Sequence, residues 1–308
     1  MIGYGRFDEM TGGTRNAFGT IIDTWDEDRK IKRFHNVVPG QPHVHSHFHA
    51  ASHEGHRVVA ICGKGGVGKT AFTALLVRAC VKSGDCGRIL VVDADPAFGL
   101  ALALGVKPAH TIGEVREQII HTAQGGAADA EAELAGQLDY LIFESLVETD
   151  NFAFMAMGRS DALGCYCAVN DLLRDAVSQL AGEFDTVVID GEAGLEQVNR
   201  QVMACVDELI ILTDGSARGM NTVELLAKIA HDERVADAEH IGIVFSRPLV
   251  PDAVLDNEIS QVNVTRLGTV PLDPQVALFD AQDRPLMELP DDSPAAHAVW
   301  HIADRLFV

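Results

Sequence analysis

The stretch Val58-Val59-Ala60-Ile61-Cys62-Gly63-Lys64-Gly65-Gly66-Val67-Gly68-Lys69-Thr70 decides the fold. A short apolar, β-branched run leads into the pattern G-x-x-x-x-G-K-[ST], and a segment of helical period, Thr70 to Lys82, follows. That order of strand, glycine-rich loop and helix is the layout of a phosphate-binding loop. Glycines at 63, 65, 66 and 68 let the backbone turn tightly, so the N–H groups around Val67 can converge on phosphate oxygens. The helix start adds its positive N-terminal end. In this arrangement Lys69 pairs with the β- and γ-phosphates of a nucleotide, and the Thr70 hydroxyl binds Mg²⁺.

Moving outward, the pattern repeats. Apolar runs at 89–92, 186–189, 209–212 and 241–244, with an edge at 264–270, read as strands. Segments of helical period lie between most of them: Cys167 to Leu180, Glu196 to Cys205 and Met220 to Ile229. Strands without polar alternation predict a mostly parallel sheet covered on both faces. The expected fold class is therefore α/β, a doubly wound sheet with helices on both faces, occupying residues 57–308. The stretch 125–128 reads as a surface insertion. Residues 1–56 hold no lasting period and are expected to form a partly flexible extension.

With 24 Lys+Arg against 45 Asp+Glu, the net charge is -21, which argues against a nucleic-acid partner and against an anionic membrane. No apolar stretch approaches the roughly 18 residues of a membrane-spanning helix. Met1 to Arg15 also lack the layout of a secretory signal, so a cytoplasmic protein is expected. In that compartment the six cysteines are better read as core residues or metal ligands than as disulfides.

Two strands end in carboxylates, Asp93-Ala94-Asp95-Pro96 and Asp190-Gly191-Glu192. Ligands of such sheets bind beyond the carboxyl ends of the strands, where these groups should lie. Asp93 fits helix capping equally well.

The form K-G-G-x-G-K-T, with Lys64 near the loop's start, resembles the dimeric ATPase class that includes MinD, ParA, the nitrogenase iron protein and metallocentre-assembly ATPases. The resemblance implies an ATP- and Mg²⁺-dependent hydrolase, alternating between ATP and ADP. It implies that Lys64 reaches across a homodimer to the partner's nucleotide, that Asp95 orients the attacking water and that Asp190 holds Mg²⁺ through water. The run Pro271-Leu272-Asp273-Pro274-Gln275-Val276 resembles the segment packing beside adenine in this class, which implicates Pro271 and Asp273. Ser246 and Arg247 stand where the class often has a base-reading Asn.

Metal chemistry has two candidates. Gly164-Cys165-Tyr166-Cys167 opens a helix, and two copies across a symmetry axis would present four thiolates, suited to Zn²⁺ or square-planar Ni²⁺. Two core cysteines would look the same in isolation. Six of the 13 histidines fall between 43 and 56; His43, His45, His47 and His49 alternate, so an extended chain would put them on one side, as ligands or as a solvated tail. The neighbourhood of the cysteines, with Met157-Gly158-Arg159 before them and Asp190-Gly191-Glu192-Ala193-Gly194-Leu195-Glu196 after, resembles CooC-type ATPases over about residues 57 to 290. That resemblance implies a nickel metallochaperone serving a nickel-dependent apoenzyme such as carbon monoxide dehydrogenase. Gly191 stands where Thr is common, and Ala97 follows Pro96 where the family usually carries Asn. The rivals are an ATP-gated iron–sulfur reductase and a positioning ATPase of the MinD/ParA type.

Overall fold

Alternate residues of each central strand face two different cores. Val58, Ala60 and Cys62 join Leu90, Val92, Val187, Ile189, Leu209 and Ile211 on one side of the sheet. Val59 and Ile61 join Ile89, Val91, Val188, Ile210 and Leu212 on the other. Because both faces are buried, the strands read as unbroken apolar runs. The computed structural model describes residues 56–95, 98–124, 138, 140–158, 167–191, 206–232, 240–259, 262 and 264–307. The N-terminal segment up to residue 55, with His43, His45, His47 and His49, lies outside the described residues, as do Cys165, the insertion expected at 125–128 and the helix expected at Glu196 to Cys205.

The strands are β1 (Arg57–Gly63), β2 (Ile89–Asp93), β3 (Leu146–Glu148), β4 (Ala153–Ala156), β5 (Thr186–Asp190), β6 (Glu208–Thr213), β7 (Ile241–Ser246) and β8 (Thr265–Val270). Their order is β3-β4-β2-β5-β1-β6-β7-β8. Each neighbouring pair is parallel except β3–β4. The expected mostly parallel, doubly wound sheet is therefore present. The β3–β4 hairpin extends it beyond the strands read from sequence: Ala153–Ala156 is only four residues long, too short to stand out as a run.

The helices are α1 (Lys69–Ser83), α2 (Gly99–Leu104), α3 (Ile112–Gln124), α4 (Cys167–Ala181), α5 (Ala217–Asp232), α6 (Asp252–Ile259), α7 (Pro274–Ala281) and α8 (Pro294–Phe307). On one face α1 packs beneath α8, which buries Ala295, Ala296, Val299, Ile302, Ala303 and Leu306. The buried Arg78 of α1 donates to the carbonyls of Met287 and Leu289 and pairs with Asp291, tying that helix to the strap before α8. At the sheet edge, the β7–β8 register shifts between Ile243 and Val244. There Arg305 donates to the Leu267 carbonyl at 2.9 Å, and Arg266 pairs with Asp252 and Asp256.

Asp273 holds two helix starts at once. One carboxylate oxygen accepts from the Gln275 N–H at 2.9 Å and caps α7; the other accepts from the Ser293 hydroxyl at 2.5 Å and the Ala295 N–H at 3.2 Å. Burial works to raise the pKa of this carboxyl, but the three hydrogen bonds outweigh it and hold the group below the usual carboxylate value. Each lost cap costs about 0.5–2 kcal/mol. Asp273→Ala should therefore lower the urea midpoint of unfolding by the equivalent of about 2 kcal/mol, with the slope unchanged. Undiminished stability together with weakened nucleotide binding would instead make Asp273 a base-contacting residue.

Candidate nucleotide site

Gly63 ends β1 with φ +138°, and a Cβ on it would lie 2.2 Å from the Leu212 carbonyl oxygen of β6. Only glycine lets the chain leave the sheet at that point. The loop continues through Gly66 and Gly68 at φ +77° and +96°, and Gly68 stands as the left-handed cap of α1 with no side-chain hydrogen bond. The first N–H groups of α1 are thus left without a side-chain cap, the arrangement that receives anions at helix starts. Cβ atoms added at Gly65 and Gly66 would meet nothing within 4 Å, so space lies open beside the loop. Lys69 is buried at the start of α1, and Thr70 follows it.

Beneath the loop, Asp93 and Asp190 are partners in register at the ends of β2 and β5, and both are buried. Asp190 Oδ1 accepts from the Thr73 hydroxyl of α1 at 2.9 Å, whereas its Oδ2 has no hydrogen-bond partner. Burial pushes the Asp190 carboxyl up to about 6; the hydroxyls of Thr70 and Thr73 and the charge of Lys69 pull the other way. A buried carboxylate oxygen without a partner, next to Thr70 and Lys69, fits Mg²⁺ held through water. The chemistry of these donors, hard oxygens alone, suits that ion.

Asp93 is pushed up to about 7, first by burial and then by the charge of Asp190. Its oxygens accept from the N–H groups of Asp95 at 3.0 Å and Leu100 at 3.2 Å. It therefore organises the backbone leading into α2, the capping use of a strand-end carboxylate. Asp95 sits half-buried beside the pair, and its charge adds to the upward pressure on both carboxyls.

Two contacts were not legible in the sequence. Lys64 pairs at 3.2 Å with Asp214, just past β6, with both side chains half exposed. The Ser216 hydroxyl, more than Lys64, draws the Asp214 carboxyl below its ordinary value. Arg247 follows β7 at φ +51° and donates from its guanidinium to the Gly66 carbonyl at 2.8 Å. The arginine standing in place of the expected Asn thus braces the phosphate loop from the neighbouring strand end.

Beside the loop lies a cavity of about 430 Å³, lined by Thr70, Phe72, Leu102, Arg247, Pro271 and Val276 among others. Its size suits a nucleoside. Pro271 and Asp273 both border it, with the Asp273 carboxylate already occupied by the two helix starts. Cys167 is the first residue of α4. Cys62, Cys80 and Cys86 are free and buried, as core residues.

The carboxyl pair generates a pH prediction. Both groups have raised pKa values, so their contribution to stability is fully present below about pH 4 and is lost as pH rises through about 6 to 7. Mg²⁺ favours the ionised form. Titration with Mg²⁺ and ADP at pH 6 should therefore release protons, measurable by calorimetry in buffers of different ionisation enthalpy, and the release should vanish by about pH 8. Asp190→Asn should remove most of it; an unchanged release in that variant would exclude Asp190 as its source.

Residues 56–237 match the family described as the AAA domain. An uncharacterized ATP-binding protein of Methanocaldococcus jannaschii is 36% identical over 252 residues, covering 81% of this chain and 98% of its own. The carbon monoxide dehydrogenase accessory protein CooC of Rhodospirillum rubrum is 28% identical over 253 residues, covering 79% of this chain and 93% of its own. Among solved structures, the septum site-determining protein MinD complexed with Mg-ADP from Pyrococcus horikoshii shares the fold, with a TM-score of 0.57 at 21% identity over 81% of this chain and 95% of that one. With the phosphate loop at the carboxyl edge of a doubly wound sheet, the chain belongs to the AAA domain family and is a P-loop ATPase with a MinD-like fold.

Proposed function

We propose that the chain is an ATP-dependent metallochaperone that carries nickel, with zinc as the competing ion, on Cys165 and Cys167 at a homodimer interface, and inserts it into a nickel-dependent apoenzyme such as carbon monoxide dehydrogenase. The observation that supports this reading most is where Cys167, the second thiol of the C-x-C motif, enters the fold. Strands β4, β2 and β5 are parallel, and α4 begins at Cys167 in the connection that leaves the carboxyl end of β4 and returns to the start of β5. Cys167, at the start of α4, therefore lies toward the same edge of the sheet as the phosphate loop, which supports this reading. The likeness to the R. rubrum CooC protein supports the same assignment.

In this reading two subunits enclose two ATP molecules, and closure brings the two cysteine pairs together around the ion. Lys69 holds the β- and γ-phosphates, Asp95 orients the attacking water, and Thr70 and Asp190 hold Mg²⁺, which neutralises charge developing on the phosphates. Lys64 leaves Asp214 to reach the partner's nucleotide; an exposed pair of this kind is worth about 0–1 kcal/mol, so parting costs little. His43, His45, His47 and His49 would store metal ahead of transfer. A positioning role of the MinD type would need a face for membrane or DNA. The apolar face of α8 is instead buried in the core.

Nickel titration of a chain carrying Ala at 43, 45, 47 and 49 and at the α8 positions 297 and 301 should give one tightly held ion per dimer. Adding ADP or ATP should shift its affinity about 5- to 150-fold. Cys165→Ser/Cys167→Ser should abolish that ion; undiminished binding in the double variant would defeat the reading, and iron in the anaerobically purified protein would favour the iron–sulfur reductase instead. Lys64→Ala should reduce ATP turnover about a hundredfold or more while leaving ADP affinity nearly unchanged. Equal turnover in the variant would exclude the cross-dimer role.

A further inference from the structure

Helix α8 carries a second feature, on the face turned away from the core. The positions that hold it in place are Ala295, Ala296, Val299, Ile302, Ala303 and Leu306. The opposite stripe presents His297, Trp300, His301 and Asp304, all exposed. His297 and His301 stand four residues apart, one turn on, and their ring centroids are 4.5 Å apart with the planes at 84°. Neither ring contributes to the core.

We propose that His297 and His301 form a two-imidazole site for a late first-row divalent cation, Ni²⁺, Cu²⁺ or Zn²⁺. Histidines at i and i+4 on one helix face are spaced to hold one ion between them. Metal–nitrogen bonds of about 2.0–2.1 Å put two adjacent ligating nitrogens about 3 Å apart. Rings already 4.5 Å apart on a rigid backbone reach that spacing by side-chain rotation alone. Imidazole nitrogen selects these ions over Mg²⁺ or Ca²⁺, so the Mg²⁺ that serves the nucleotide does not compete. Among the described residues no group of three His, Cys, Asp or Glu side chains converges to hold an ion. The pair is accordingly a two-ligand site with its remaining positions open to water or to a ligand from another molecule, the coordination expected of a station that gives its ion up. It is separate in sequence from the Cys165/Cys167 pair and stands whether or not that pair holds metal.

The chain supplies its own reporter. Its two tryptophans are Trp25 and Trp300, and Trp300 lies on the same stripe, between the two histidines in sequence and 38% exposed. In a full-length chain carrying Trp25→Phe, Cys165→Ser, Cys167→Ser and Ala at 43, 45, 47 and 49, Ni²⁺ or Cu²⁺ should quench Trp300 fluorescence with saturation at one equivalent. His297→Ala and His301→Ala should each raise the midpoint about tenfold or more, because the second imidazole of a chelate binds at high effective concentration. The double substitution should abolish saturable quenching. Both side chains are exposed, so the variants keep the fold, which circular dichroism checks. Quenching that persists in the double variant, or single substitutions that move the midpoint by less than about twofold, would overturn the site.

Discussion

The close approach of β1 to β6 at Gly63 governs everything that happens at the nucleotide site. With the Leu212 carbonyl 2.2 Å from where a Cβ would stand, the strand end admits no side chain. The loop can then turn over the sheet edge and deliver α1 with its N–H groups uncovered. The same turn sets Lys69 and Thr73 above Asp190, so a hydroxyl of the helix closes onto a carboxylate of a neighbouring strand at 2.9 Å. Glycine here is a packing requirement between two strands before it is a requirement of phosphate binding.

The buried carboxyl pair follows from that geometry. Parallel strands in register bring Asp93 and Asp190 to one level, and the apolar cores on both faces deprive them of water. One of them turns to the backbone: Asp93 holds the chain that leads into α2. The other keeps one oxygen uncommitted. Two like residues at equivalent strand ends thus acquire different duties from the hydrogen bonds available to each.

Much of this was legible in the sequence, and the remainder has physical reasons for staying hidden. The parallel sheet and phosphate loop declare themselves because burial on both faces demands unbroken apolar runs and because the loop's turns demand glycine at fixed spacing. The β3–β4 hairpin stayed hidden, since a four-residue run such as Ala153–Ala156 carries no period. Lys64–Asp214 and Arg247–Gly66 join residues 150 and 181 positions apart, separations that no local pattern encodes. Asp273 was visible as part of a motif, yet its bonds to Ser293 and Ala295 depend on where α8 begins, which only the packed structure supplies. The net charge of -21 likewise said nothing of the site, where Lys69 and the uncapped start of α1 stand beside buried carboxylates.

The margins of the sheet limit how copies of this chain can meet. At one end the antiparallel β3 is only three residues long. At the other, β8 is out of register with β7, one of its carbonyls is already taken by Arg305, and Arg266 is locked into ion pairs. Short, bulged and charged edges of this kind refuse an added strand. Runaway strand-to-strand polymerisation is thereby disfavoured, and contact between copies is directed to the loops and helix faces, where it can be made conditional on what those loops hold.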